Sequence, residues 1–263
     1  VFMTRVALLQ IDVSDTEPVD VRVKRVLEMV REQKGKADLV VLPELWHVGA
    51  FNDPALRENA QPRDGEIVTA LQGLAKEIGA WIHGGSFVEI HDGDKLSNTA
   101  LIIRPDGTVA NFYRKIHLFG FDQGEAAMLT RGNDIITVED SPVGKAGMAT
   151  CYDLRFPELF RAQCAQGIQS FVLCSGWPTP RLNHWRVLIQ ARAIENQAWF
   201  IACNEVGVNG KYILGGHSMV VDPKGEIIAE AGGGEEVIYA DVDVDLVDQW
   251  RRDFPILRDR VLN

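Results

Sequence analysis

Strand-like segments recur along the whole chain, and that recurrence limits the fold more than any other feature. About twelve short runs are apolar throughout or alternate apolar with polar residues, against four or five helical patterns. The strand-like runs cover 4–11, 37–43, 80–89, 97–104, 107–113, 134–138, 146–150, 168–175, 198–205, 217–222, 226–230 and 236–241. The first of them alternate with helical patterns. One follows Pro18, with Val23, Val26, Leu27 and Val30 on one face and Gly35 as its stop. Another starts after Asp64 as N-cap and carries Ile67, Leu71, Leu74 and Ile78 before Gly79. Further helices are predicted over 156–167 and 182–196. Later strands are joined by tight turns, such as Arg104-Pro-Asp-Gly107 and Asp222-Pro-Lys-Gly225, which make hairpins. This is too much sheet for a simple doubly wound fold. Two mixed sheets packed on each other with helices outside, an α/β arrangement, fit better. No repeat, low-complexity tract or polar linker divides residues 1–263, so one domain is expected.

Charge and cysteine usage narrow the partners. A net charge of −10 argues against nucleic acid and against an anionic membrane. No apolar run approaches the roughly 18 residues of a membrane span. The start, Val-Phe-Met-Thr-Arg-Val-Ala, lacks the pattern of a secretory signal, so a cytoplasmic protein is expected. Val1 and Phe2 precede Met3, as a vector remnant or an upstream start would. Cys151, Cys164, Cys174 and Cys203 make no C-x-x-C pair and read as free thiols. The histidines show no ligand spacing, so neither a metal nor another cofactor is implied.

Three residues share one placement. Glu44 follows Leu-Val-Val-Leu-Pro, Lys115 follows Phe-Tyr-Arg, and Cys151 follows Ala-Gly-Met-Ala-Thr. Each lies at the end of a predicted strand, where folds of this class place their sites. A thiol on a strand-to-helix turn is a candidate nucleophile. A partly desolvated carboxylate can take its proton, and an ammonium can hold the oxyanion with the Tyr152 backbone N–H. Singly, each has a plainer explanation: a buried small hydrophobe, a loop acid, a surface lysine.

The motifs Leu42-Pro43-Glu44, Tyr113-Arg-Lys-Ile-His-Leu-Phe119 and Thr150-Cys-Tyr-Asp-Leu-Arg-Phe-Pro-Glu158 together resemble the nitrilase superfamily of carbon–nitrogen hydrolases. Ala191-Arg-Ala-Ile-Glu-Asn-Gln197 and Gly215–Gly225 agree, so the resemblance runs from residue 4 to about 258. It implies a four-layer α-β-β-α sandwich that forms a homodimer or a higher homo-oligomer, with the tail 248–255 reaching across. It also implies a Glu44–Lys115–Cys151 triad, with Glu125 as a second glutamate orienting the lysine or the amide. The Cys-Tyr-Asp-Leu-Arg-Phe segment is similar to the small amidase branches: ω-amidases acting on 2-oxoglutaramate, and amidases of deaminated glutathione. Aliphatic amides, N-carbamoyl amino acids and nitriles remain alternative substrates, although tryptophan is usual beside the cysteine of nitrilases and Tyr152 stands here.

A free carboxylate on the substrate makes Arg155 a candidate contact, unless it forms a salt bridge with Asp153 or Glu158. Arg181 is a second candidate. Trp177, Trp46, Phe51 and Phe121 either line the pocket or merely pack. His117 is expected to shape its turn. Two rival readings are a Cys–His hydrolase based on His117, His184 or His217, and a non-catalytic binding protein of the same fold. Gly216-His-Ser-Met-Val lacks a nucleophile elbow, so Ser218 is set aside.

Overall fold

The structure, a computed structural model, describes residues 3–262; Val1, Phe2 and Asn263 lie outside the described residues. Two six-stranded mixed sheets make the frame. The first contains β1 (Met3–Gln10), β2 (Leu39–Val41), β3 (Trp81–His91), β4 (Lys95–Ile103), β5 (Val109–Arg114) and β14 (Glu236–Asp243), in the order β14-β1-β2-β3-β4-β5. The second contains β6 (Thr137–Val138), β7 (Ala146–Thr150), β8 (Ser170–Cys174), β9 (Trp199–Cys203), β12 (Met219–Val221) and β13 (Ile227–Glu230), in the order β13-β12-β9-β8-β7-β6. In each sheet three central strands run parallel (β1-β2-β3 and β7-β8-β9) and antiparallel strands flank them.

The layering follows from side-chain alternation. On β1 and β2, Val6, Leu8, Leu39 and Val41 face the second sheet and meet Val172, Ile201, Cys203 and Val220. Their neighbours Ala7, Leu9, Val40 and Leu42 face the other way, onto α1 (Val19–Arg31) and α3 (Glu66–Ile78) through Val26, Val30, Leu71 and Ala75. The outer face of the second sheet packs Phe171 and Phe200 on Phe160 of α5 (Pro157–Ala165) and on Trp185 and Ile189 of α6 (Leu182–Asn196). Strands buried on both faces must be apolar at every position, which is why the central strands read as continuous runs. The result is the expected α-β-β-α sandwich.

Several local expectations are corrected. A short helix that was not predicted, α2 (Asp53–Glu58), is capped by Asn52 through a bond from the Ala55 N–H at 3.3 Å. Gly65, not Asp64, occupies the N-cap of α3, with no side-chain cap. The predicted helix 156–167 forms as α5, opened by Pro157, and a 3-10 turn that was not predicted, Cys151–Arg155, precedes it. A hairpin of β10 (Val206–Asn209) and β11 (Tyr212–Gly215) was not predicted. Nor were α4 (Glu125–Met128) and α7 (Asp245–Asp253). Within α7, Arg251 donates to the carbonyls of Ile168 and Asn196 at 2.8 and 3.0 Å. Among the described residues no helix is long and apolar enough to cross a membrane.

Candidate active site

The site forms where the two sheets meet, at the C-terminal ends of their parallel strands. Glu44 leaves the first sheet three residues after β2. The chain there is pressed against a bulge in β3: Gly85 has φ +62°, and a Cβ on it would stand 1.9 Å from the Pro43 carbonyl oxygen. Only glycine allows that approach. Lys115 is the first residue past β5 and holds register through its N–H to the Asn98 carbonyl at 2.9 Å. Cys151 is the first residue past β7, at φ +44°, a strained conformation for a side chain that lifts it out of the sheet line.

These side chains are buried in one network. Lys115 Nζ donates to Glu44 Oε1 at 2.8 Å and to Glu125 Oε2 at 2.7 Å. Asn98 Nδ2 donates to Glu44 Oε1 and to Glu125 Oε1, both at 2.8 Å. The Phe119 N–H donates to Glu125 Oε2 at 2.8 Å, and the Gly176 N–H donates to Glu44 Oε2 at 2.9 Å. Burial alone would pull the Lys115 pKa down, but the charges of Glu125 and Glu44 outweigh it and hold it well above the usual lysine range. Burial raises Glu125 despite the opposing lysine. Burial, then the charge of Glu44, raises the Cys151 thiol, so the resting cysteine keeps its proton until an acceptor takes it.

Asp153 ties the Cys151 turn to the Lys115 loop. Fully buried, it accepts from the Thr150 N–H at 2.9 Å, the Tyr113 hydroxyl at 2.6 Å and the His117 N–H at 3.0 Å, and His117 Nδ1 lies 2.7 Å away. His117 also stacks on Phe156 at 3.8 Å, so it shapes the turn as expected. Tyr152 is the second residue of the 3-10 turn, where backbone N–H groups have no acceptor within the turn, and among the described residues its N–H has no partner.

Glu44, Lys115, Glu125, Cys151, Tyr152, Arg155, Trp177 and Arg181 all line one cavity of about 440 Å³. Phe51 and Phe121 line it too, whereas Trp46 packs away from it with its indole N–H on the Gly84 carbonyl at 3.0 Å. Arg155 makes no salt bridge with Asp153 or Glu158. Its guanidinium lies 4.6 Å from the Trp177 ring, and Arg181 lies 5.5 Å from the Phe119 ring. Among the described residues neither arginine has a carboxylate partner, and Arg181 Nη2 is buried without any partner. Burial and the charge of Arg181 lower the Arg155 pKa. Among the described residues no histidine lines the cavity, as a Cys–His pair would require: His217 pairs with Glu230, and His184 Nδ1 lies 3.3 Å from Arg155 Nη1.

Asn98 and Asp153 were missed by sequence reasoning as parts of the site. A signal for Asn98 existed: Ser97-Asn98-Thr99 puts three polar residues inside an apolar strand, and all three are buried. The other thiols, Cys164, Cys174 and Cys203, are buried and unbonded to one another.

The profile of the carbon-nitrogen hydrolase family matches residues 5–252. A 2-oxoglutaramate amidase of Paenarthrobacter nicotinovorans is 40% identical over 261 residues, covering 97% of this chain and 88% of that relative. A deaminated glutathione amidase of Dictyostelium discoideum is 33% identical, covering 99% and 95%. The solved structure of Saccharomyces cerevisiae Nit3, a member of branch 10 of the nitrilase superfamily, superposes with a TM-score of 0.88 at 31% identity, covering 99% of this chain and 97% of that one. Motifs, fold and relatives converge, and the chain belongs to the carbon-nitrogen hydrolase family.

Proposed function

We propose that this chain is an amidase that hydrolyses a small monoamide bearing a free carboxylate, of the 2-oxoglutaramate type, through a thioester on Cys151. The observation that carries the substrate class is the pair Arg155 and Arg181, two guanidiniums without carboxylate partners in the cavity that holds Cys151. Two like charges brought together there are stabilised by an anion, and a guanidinium matches a carboxylate with two parallel bonds. The relatives that act on 2-oxoglutaramate and on deaminated glutathione support the same chemistry.

Glu44 takes the thiol proton and the sulfur attacks the amide carbon. Lys115 Nζ and the Tyr152 N–H hold the oxyanion. Glu44 returns the proton to the leaving nitrogen, and ammonia departs. Water, deprotonated by Glu44, then opens the thioester, releasing the acid and restoring the thiol. Glu125 and Asn98 hold Lys115 and Glu44 in place.

Ammonia release from a panel of amides and nitriles, with Cys151→Ala as blank, tests the reading. Succinamate and 2-oxoglutaramate are expected to turn over fastest. Turnover confined to uncharged amides or nitriles would keep the nucleophile and sink the carboxylate contact. Arg155→Ala is expected to lower kcat/KM for the carboxylated amide by about tenfold to a hundredfold, the value of a charge-assisted bond. An uncharged amide of similar size should change by less than about threefold, and equal losses on both would show that Arg155 acts on the fold instead.

The working unit is a homodimer in a reducing cytoplasm. The four unbonded thiols support the compartment, and Val187 and Ile194, exposed on α6, support an apolar contact between copies. Light scattering at micromolar concentration should give twice the chain mass; a monomer there overturns the dimer.

A further inference from the structure

Ser175 stands beside the nucleophile and has no task in the steps above. β7 and β8 are neighbouring parallel strands, and Thr150 is in register with Cys174. The next residue on each strand is Cys151 and Ser175, so the two leave the sheet side by side, at the ~4.8 Å spacing of adjacent strands. The Ser175 N–H is fixed on the Cys203 carbonyl at 2.9 Å, and the following N–H, of Gly176, is the one that Glu44 Oε2 accepts. Ser175 is therefore held between base and nucleophile. It is fully buried, and among the described residues its hydroxyl has no hydrogen-bond partner. A dry hydroxyl without a partner is a standing cost to the fold, and such groups gather where chemistry uses them.

We propose that the Ser175 hydroxyl is a further catalytic group, which donates its O–H to Sγ of Cys151 as the thiol proton passes to Glu44. The S–H bond breaks, the proton goes to a Glu44 carboxylate oxygen, the electron pair stays on sulfur, and Ser175 keeps its own proton throughout. Its hydrogen bond to the thiolate is stronger than any it could make to the neutral thiol, so it favours the attacking form over the resting one. The electrostatics run the same way. Against burial and the charge of Glu44, which raise the thiol, Lys115 and the Gly176 N–H pull it back, and so does the Ser175 hydroxyl, near enough to act on Sγ although outside hydrogen-bond geometry at rest. The inference rests on Cys151 being the nucleophile, and it does not depend on the substrate class.

The test needs no substrate. The rate at which iodoacetamide alkylates Cys151 in the native protein, read by mass spectrometry on its peptide, is followed against pH for the wild type, Ser175→Ala and Ser175→Thr. In Ser175→Ala the midpoint of the profile is expected to move up by about one unit, with kcat/KM for the best amide falling about tenfold and KM within about twofold. The melting temperature should hold or rise, because no protein hydrogen bond is lost. Ser175→Thr keeps the hydroxyl and should restore the midpoint. Profiles of Ser175→Ala and wild type that overlay would overturn the proposal whatever the melting temperature does. A Cys151 that resists alkylation in all three proteins would overturn the nucleophile reading with it.

Discussion

Lys115→Met is expected to lower kcat by about a thousandfold and to make the stability of the protein depend steeply on pH. The catalytic loss follows from the proposed role of Lys115 as oxyanion donor, since removing one such donor costs about a hundredfold to a thousandfold. Losing the anchor of Glu44 as well places the variant at the upper end. The stability loss follows from the ion cluster. Lys115 bonds two buried carboxylates, and breaking a buried pair by removing one partner costs about 3–5 kcal/mol. Methionine fills the volume but answers no charge. Glu125, already raised by burial, would rise further. A carboxyl whose folded pKa lies above its unfolded value stabilises the fold below the unfolded pKa, and that contribution is lost as pH climbs through the folded pKa. The variant should therefore melt close to the wild type near pH 5 and well below it near pH 8. An equal deficit at both values would show that the stranded carboxylates are not the cause.

Cys151→Ala should abolish ammonia release, at least about ten-thousandfold, because no other group in the cavity can form the acyl intermediate. Binding should survive it. The arginines, the lysine and the free N–H are untouched, so titration calorimetry is expected to find the carboxylated amide bound with an affinity within about threefold of the wild-type KM. The fold should survive as well, since alanine at φ +44° is strained as cysteine is. Residual turnover above the blank of the uncatalysed reaction, in protein free of wild-type contamination, would assign the chemistry to another residue.

Glu44 and Cys151 were legible as candidates because each follows an apolar run buried on both faces, whereas Lys115 follows the partly exposed β5 and stood out by its motif. Burial on both faces makes such runs unmistakable. The supporting residues were less legible. Asn98 contributes through two carboxylates that are 54 and 27 residues away, a relation that no local pattern carries. Asp153 was visible only as a possible partner for Arg155, yet its four contacts lie on the Lys115 loop and the Cys151 turn. The β10–β11 hairpin had a usable signal in Gly210-Lys211, a pair with glycine first that suits a two-residue turn, with Gly210 at φ +56°. It was masked by Gly207 and Gly215 within the strands, which weaken a strand pattern. The helix α7 is nine residues long, too short for periodicity to stand out, and it is held by tertiary contacts of Arg251. Arg155 and Arg181 were recognisable as candidates, but only the folded chain brings them to one cavity.

Glu44, Asn98 and Lys115 come from one sheet, while Cys151 and the Gly176 N–H that Glu44 accepts come from the other. Neither half of the chain carries a working fragment of the machinery. Far-ultraviolet circular dichroism after dilution from denaturant would record the return of strands and helices within each half. Recovered turnover would record a different event, the seating of one sheet on the other to the tolerance of a hydrogen bond. For this protein, enzymatic activity is a ruler laid across its central interface.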